Sequence, residues 1–268
     1  MLPVMLQLYS VRDELSKDFD TTLGEVAAMG YRYVELALAQ SFGKTAAQIK
    51  ESLDKAGLTA VSAHVPYGDM IGDPDAVIGF HTAIGCKYIV VPFLSEEDRS
   101  TGPRYEDTKK GIAHLGEIVR KKGATLLYHN HEFEFVDYRG KYALDDLFES
   151  ISADLLQTEI DVCWTSVGGV DPAQYILKYT GRSPVVHLKD YQSDDAKVKA
   201  EYELIGEAAQ AGPFPFRSLG QGILDFSGII KAAEKAGTQW LVVEQDLPTP
   251  GKTAMECVRD SFNYLRTF

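Results

Sequence analysis

The stretch HNHEFE at residues 129–134 places two imidazoles, an amide and two carboxylates at the end of the apolar run TLLY. Similar endings recur. TEID carries Glu159 and Asp161, VVHLKD carries His187, Lys189 and Asp190, and WLVVEQD carries Glu244, Gln245 and Asp246. Earlier runs deliver Gln7, Tyr9 and Arg12, then Glu35, then His64. Charged groups buried without partners are costly, so a gathering of them needs mutual pairing or a cation. A mixed His/Asp/Glu set suits Mn²⁺, Mg²⁺, Co²⁺ or Zn²⁺, and the same groups are common agents of proton transfer.

Strand alternation decides which of these groups can cooperate. His129 and His131 fall on one face, Asn130 and Glu132 on the other. His187 and Lys189 share a face, as do Val242, Glu244 and Asp246, and as do Glu159, Asp161 and Cys163. At least one of His129 and His131 is expected to touch metal or substrate. Asp161 has a competing role as a cap of the turn after its strand, and Lys189 as an ion-pair partner of Asp161 or Glu244. The aromatics Trp164, Tyr9, Phe133 and Phe135 are candidates to stack on a sugar, or simply to fill the core.

The elements that must position these groups are legible. Strands are expected at 4–10, 31–37, 58–65, 87–94, 124–131, 155–162, 184–190 and 239–246, each short and apolar on both faces. That pattern fits parallel strands covered by helices. Helices are expected at 18–30, 45–57, 73–85, 104–123, 143–152, 171–181, 225–237 and roughly 252–266, several closing on glycine. The alternation predicts an α/β fold, a single-domain (β/α)₈ TIM barrel over residues 1–268. A doubly wound open sheet would want a phosphate-binding glycine fingerprint after its first strand, and LQLYSVRDE has none. Residues 132–143 look like a β-hairpin turning at RG. The long polar segment 191–222 is expected over the active site. Its GQG at 220–222 reads as a tight turn, since a lone GxG is poor evidence for phosphate binding.

A chain of 268 residues, 45% hydrophobic and 25% charged, can bury a sizeable core. Its formal net charge of −12 argues against a nucleic-acid partner. Three cysteines without CxxC spacing, no signal-peptide pattern and no membrane-length apolar stretch predict a cytoplasmic protein without membrane contact.

LQLYSVRDE, LLYHNHEFEF, EIDVCW, VVHLKD, LGQGILDF and WLVVEQD together resemble the sugar phosphate isomerase/epimerase family of xylose isomerase-like TIM barrels, near its inosose dehydratase and 3-keto-glycoside-processing branch. The resemblance implies one divalent metal ion (Mn, Mg, Co or Zn) held by residues from strands five to eight. Asp161, His187 and Glu244 occupy three of its ligand positions, and His129 stands where many relatives carry glutamate. From the strand-end cluster and the resemblance together, His131, Glu134 and Glu244 are the expected catalytic acid/base residues, with Lys189 as catalytic electrostatic support. Gln7, Tyr9, Glu35, His64, Lys189 and Trp164 are the expected substrate contacts. The expected partner is a small sugar or polyol, without phosphate, and relatives are often homo-oligomers. The expected reaction is isomerisation or epimerisation by proton abstraction next to a carbonyl through an enediolate. Inosose-type dehydration or 3-keto-glycoside hydratase/lyase chemistry is the alternative. An endonuclease IV-type enzyme for abasic DNA and a non-catalytic sugar-binding barrel rank lower.

Overall fold

The computed structural model describes residues 2–37, 42–193 and 214–268. Eight parallel strands close into a barrel: β1 (Val4–Gln7), β2 (Tyr33–Ala37), β3 (Thr59–His64), β4 (Tyr88–Val91), β5 (Thr125–His129), β6 (Gln157–Asp161), β7 (Val185–Leu188) and β8 (Trp240–Val243). Each pairs with its neighbours in chain order, and β8 returns to β1 through Val4 opposite Leu241. All eight expected strands are present. All but β2 stop earlier than expected because the chain turns sharply once it leaves the ladder; β1, for example, passes directly into the 3₁₀ turn Leu8–Val11.

Helices follow with local causes that the sequence displays. Asp18 caps Phe19–Met29 by accepting from the Thr21 N–H, and Thr45 with Gln48 forms a reciprocal cap at Ala46–Ala56. Gly57 and Gly237 end their helices in the left-handed conformation, at φ +73° and +82°. The short helices Arg12–Lys17, Tyr67–Gly72 and Val162–Val167 were not expected. The last of these changes one reading: Cys163 belongs to a helix, so it does not continue the β6 face of Glu159 and Asp161.

Residues 137–138 and 141–142 form the expected hairpin, with Arg139 and Gly140 both at positive φ at its turn. Asp190–Tyr191 pairs antiparallel with Phe216–Arg217. Most of the expected excursion, 194–213, lies outside the described residues.

Inside the barrel, Met5, Val61, Tyr88, Val90, Leu127, Val185 and Val242 form an apolar plug. A larger apolar layer fills the space between strands and helices. Above the plug, toward the C-terminal strand ends, the inward residues turn polar. No described helix is long and apolar enough to cross a membrane.

Candidate metal centre and substrate cavity

Alternation and barrel closure bring β5 to β8 to a common point. His129 and Glu159 are paired in register, as are Asp161 and His187. His129, Asp161, His187 and Glu244 each offer one donor atom, all within 4.8 Å of one another, and all four residues are buried. His129 Nε2 stands 3.4 Å from Asp161 Oδ2. His187 Nδ1 stands 3.1 Å from Glu244 Oε2.

Two observations test whether a cation fits. His129 Nε2 and Asp161 Oδ2 are buried polar atoms with no hydrogen-bond partner, which is costly unless something else pairs with them. The donor set, two imidazoles and two carboxylates, matches first-row divalent ions and Mg²⁺. Two of the donors are also aimed by another contact. His129 Nδ1 bonds the Pro92 carbonyl at 3.1 Å, directing Nε2 inward. Asp161 splits its oxygens: Oδ1 accepts the Trp164 N–H at 2.8 Å and caps the following helix, while Oδ2 faces the cluster. The capping and ligating roles are therefore compatible.

Below the cluster lies a second polar layer. His187 Nε2 is 2.7 Å from Glu35 Oε1 and 2.9 Å from Glu159 Oε1. His64 Nε2 is 2.6 Å from the same Glu159 oxygen. Gln7 donates to Glu35 at 2.9 Å, and Ser62 donates to its other oxygen. Burial opposes a charge on His187, but the negative Glu159 and Glu35 outweigh it and hold its pKa well above the usual imidazole range. The same balance raises His64. His129 goes the other way: burial, only partly offset by Asp161, lowers it and favours the neutral ring that ligates metals.

Lys189 is buried among three carboxylates, with Nζ 2.8 Å from Glu244, 3.2 Å from Asp246 and 3.5 Å from Asp161. Burial disfavours its charge, yet these partners hold its pKa well above that of an exposed lysine. Burial pushes Asp246 up to about 6 despite the nearby ammonium.

A cavity of about 340 Å³ opens above the cluster, within the size range of small-ligand sites. His64, His129, His131, Lys189, Glu244 and Asp246 line it together with Tyr9, Ala37, Pro66, Pro92 and Phe93. The His131 ring stacks on Phe133 and Trp164, with centroids 5.3 and 5.4 Å away. Burial lowers its pKa well below the free value, as do the charges of His129 and Lys189.

Of the expected substrate contacts, Tyr9, His64 and Lys189 reach the cavity. Gln7 and Glu35 are fully buried in the layer beneath, and Trp164 stands behind His131. Glu134 requires a correction. It accepts the Tyr128 hydroxyl at 2.6 Å and the His131 N–H at 2.7 Å. Tyr128 points outward from β5 into the helix-side layer, and Glu134 follows it there, away from the cavity. The geometry does not support the acid/base role expected for it.

Three contributors had no role assigned to them from the sequence. For Glu159 the signal was the period of two that puts it on the face of Asp161. Ser62 gave none. Asn130 accepts the Asp161 N–H at 3.0 Å and ties β5 to β6, a role invisible before the register is known. The GQG turn has its donors spent: Asp190 accepts the N–H groups of Gly220 and Gly222 at 3.0 and 2.9 Å.

A closed parallel barrel with a candidate metal-binding His/Asp/Glu cluster at its C-terminal mouth defines the class as a (β/α)₈ barrel. A model of the xylose isomerase-like TIM barrel matches residues 23–267, and the chain belongs to that family. It is similar to the inosose dehydratase of Clostridium botulinum (strain Alaska E43 / Type E3), 27% identical over 253 residues, covering 85% of this chain and 82% of that protein. Similarity to the inosose dehydratase of Geobacillus thermodenitrificans (strain NG80-2) is 24% over 270 residues, covering 92% and 89%. In fold it is similar to a sugar phosphate isomerase/epimerase from Parabacteroides distasonis, with TM-score 0.79, 24% identity and coverage of 100% and 99%.

Proposed function

We propose that this chain is a divalent-metal-dependent enzyme that dehydrates a keto-sugar or keto-polyol, removing the proton next to a carbonyl and expelling a β-hydroxyl. The observation that carries the reading is the convergence of His129, Asp161, His187 and Glu244 on the cavity floor, beside an imidazole and an ammonium. The inosose dehydratase relatives support elimination and move it ahead of isomerisation. A cation held by those four residues would supply Lewis-acid polarisation of the carbonyl.

The remaining work falls to side chains. His131 lines the cavity and its ring stacks on Phe133 and Trp164, so it is the imidazole placed to take the α-proton. Glu244 is engaged by His187 and Lys189, which leaves it less free to act as base. The Lys189 ammonium steadies negative charge developing on the substrate oxygens. Asp246 lines the cavity and retains a proton near pH 6, which suits it to protonate the departing hydroxyl.

The test is product analysis with metal-loaded protein and an inosose. Dehydration gives an unsaturated ketone absorbing in the ultraviolet. A ketose isomer without that absorbance would replace this reading with isomerisation or epimerisation. One feature favours that second reading: His64 at the end of β3 and His131 just beyond β5 border the same cavity, as separate groups for proton removal and return would need.

A further inference from the structure

The sequence offers Phe133 as a ring for a sugar to stack on, yet Phe133 is not among the residues that line the cavity. Its ring lies parallel to that of His131 instead, at 2° and 5.3 Å between centroids. The Arg99 guanidinium stands over Phe133, 3.4 Å from the ring centroid. The contacts continue from His131 to Trp164, which stacks on the imidazole at 5.4 Å and 29°, and to the Lys189 ammonium, 5.2 Å from the Trp164 centroid. Arg99, Phe133, His131, Trp164 and Lys189 thus touch in series.

Arg99 is itself anchored. It lies in the turn after β4, where its Nε donates to the Leu94 carbonyl at 2.8 Å and its N–H to the Ser95 carbonyl at 3.1 Å. Its own carbonyl accepts the Gly102 N–H at 2.8 Å. Gly102 packs so closely that a Cβ there would run into the Glu96 and Glu97 carbonyls, which keeps the turn tight. Phe133 belongs to the 3₁₀ turn Glu132–Phe135 after β5, and Glu134 of that turn accepts the His131 N–H at 2.7 Å. Two turns therefore act on one imidazole. The turn after β5 holds its backbone, and a ring contact backed by the turn after β4 holds its side chain. A stacked imidazole can rotate about its Cβ–Cγ bond only by giving up the face contact. Orientation matters for proton abstraction, because the reacting atoms must meet at near-attack distance.

Resting on the proton-abstracting role proposed for His131, we infer that Phe133 and Arg99 are positioning residues for that step. Phe133 fixes the plane of the His131 ring, and Arg99 fixes Phe133. Neither lines the cavity, so their effect falls on rate and not on substrate binding.

The experiment is a double-substitution cycle in Mn²⁺-loaded protein turning over an inosose. Phe133→Leu is expected to lower kcat by about 10–100-fold, the scale of a small misplacement, with KM and metal content unchanged. Phe133→Tyr, which keeps the ring, should recover most of that loss, and Arg99→Ala should cost about two- to fivefold. In a His131→Ala background, Phe133→Leu should cost nothing further. The same loss in both backgrounds overturns the inference, as does a rise in KM in place of the fall in kcat. A second reading needs no turnover. The His131 ring signals in NMR spectra, identified by their loss in His131→Ala, should shift and broaden in Arg99→Ala, which leaves both rings in place. If no inosose turns over, the proposed function fails, while unmoved His131 signals end the positioning role.

Discussion

Glu35 Oε1 lies 2.7 Å from His187 Nε2 at the barrel centre, although 152 residues separate the two. With its proton on Nε2, the imidazole presents the Nδ1 lone pair toward Glu244 and the proposed cation. Glu35 thus orients a proposed ligand that it does not replace. Glu35→Ala is expected to weaken divalent-metal affinity by about 10–100-fold, the usual scale for such supporting carboxylates. Glu35→Gln, which keeps an acceptor, should lose less. Competition with a chelating dye measures both, and unchanged affinity in the alanine variant would refute the role.

Removing the proposed cation tests the centre directly. Chelation is expected to abolish turnover, and added Mn²⁺, Co²⁺ or Zn²⁺ to restore it. Asp161→Ala and His187→Ala should each lack metal by elemental analysis. Because Glu159 and Glu35 keep His187 protonated in the metal-free protein, loading should release protons and affinity should rise with pH. Full metal content and activity in both variants would end the metal-centre reading.

Lys189 neutralises a pocket of three carboxylates and is almost fully buried. Lys189→Met leaves Asp161, Glu244 and Asp246 facing one another. Breaking such a buried network by removing one partner costs about 3–5 kcal/mol. The loss should appear in urea denaturation of the metal-free protein and shrink once metal is bound. An equal loss in both states would mean that Lys189 and the cation do not share those carboxylates.

Glu134 predicts a pH dependence. Burial pushes its carboxyl from 4.5 up to about 8, against the favourable bonds from Tyr128 and His131. Between those values the folded state holds a proton that the unfolded chain has released. Its contribution is therefore fully present below about pH 4.5 and is lost as pH rises toward 8. The limiting change is on the order of 3–5 kcal/mol. Glu134→Gln keeps an acceptor for His131 and should flatten that part of the stability profile. Parallel wild-type and Glu134→Gln profiles from pH 5 to 8.5 would rule the effect out.

The βα alternation, the eight strands, most helix caps and the polar strand ends were legible in the sequence because each is local. Period-two alternation, an Asp or Thr before a helix and a glycine after it need only neighbouring residues. The same alternation placed His187 with Lys189 and Glu159 with Asp161 on common faces. It did not reach Glu134, which lies beyond the end of β5 in the turn Glu132–Phe135, where strand periodicity no longer applies. It was also silent on depth. Gln7, Glu35 and His64 all sit near strand ends, yet only His64 reaches the cavity, while the other two are sealed beneath it. Register across a closed barrel sets that depth, and the closure brings Glu35 of β2 against His187 of β7. The residues determined which chemical groups were available and which face of each strand would carry them. The tertiary structure decided which groups meet, because barrel closure and stagger are properties of all eight strands together.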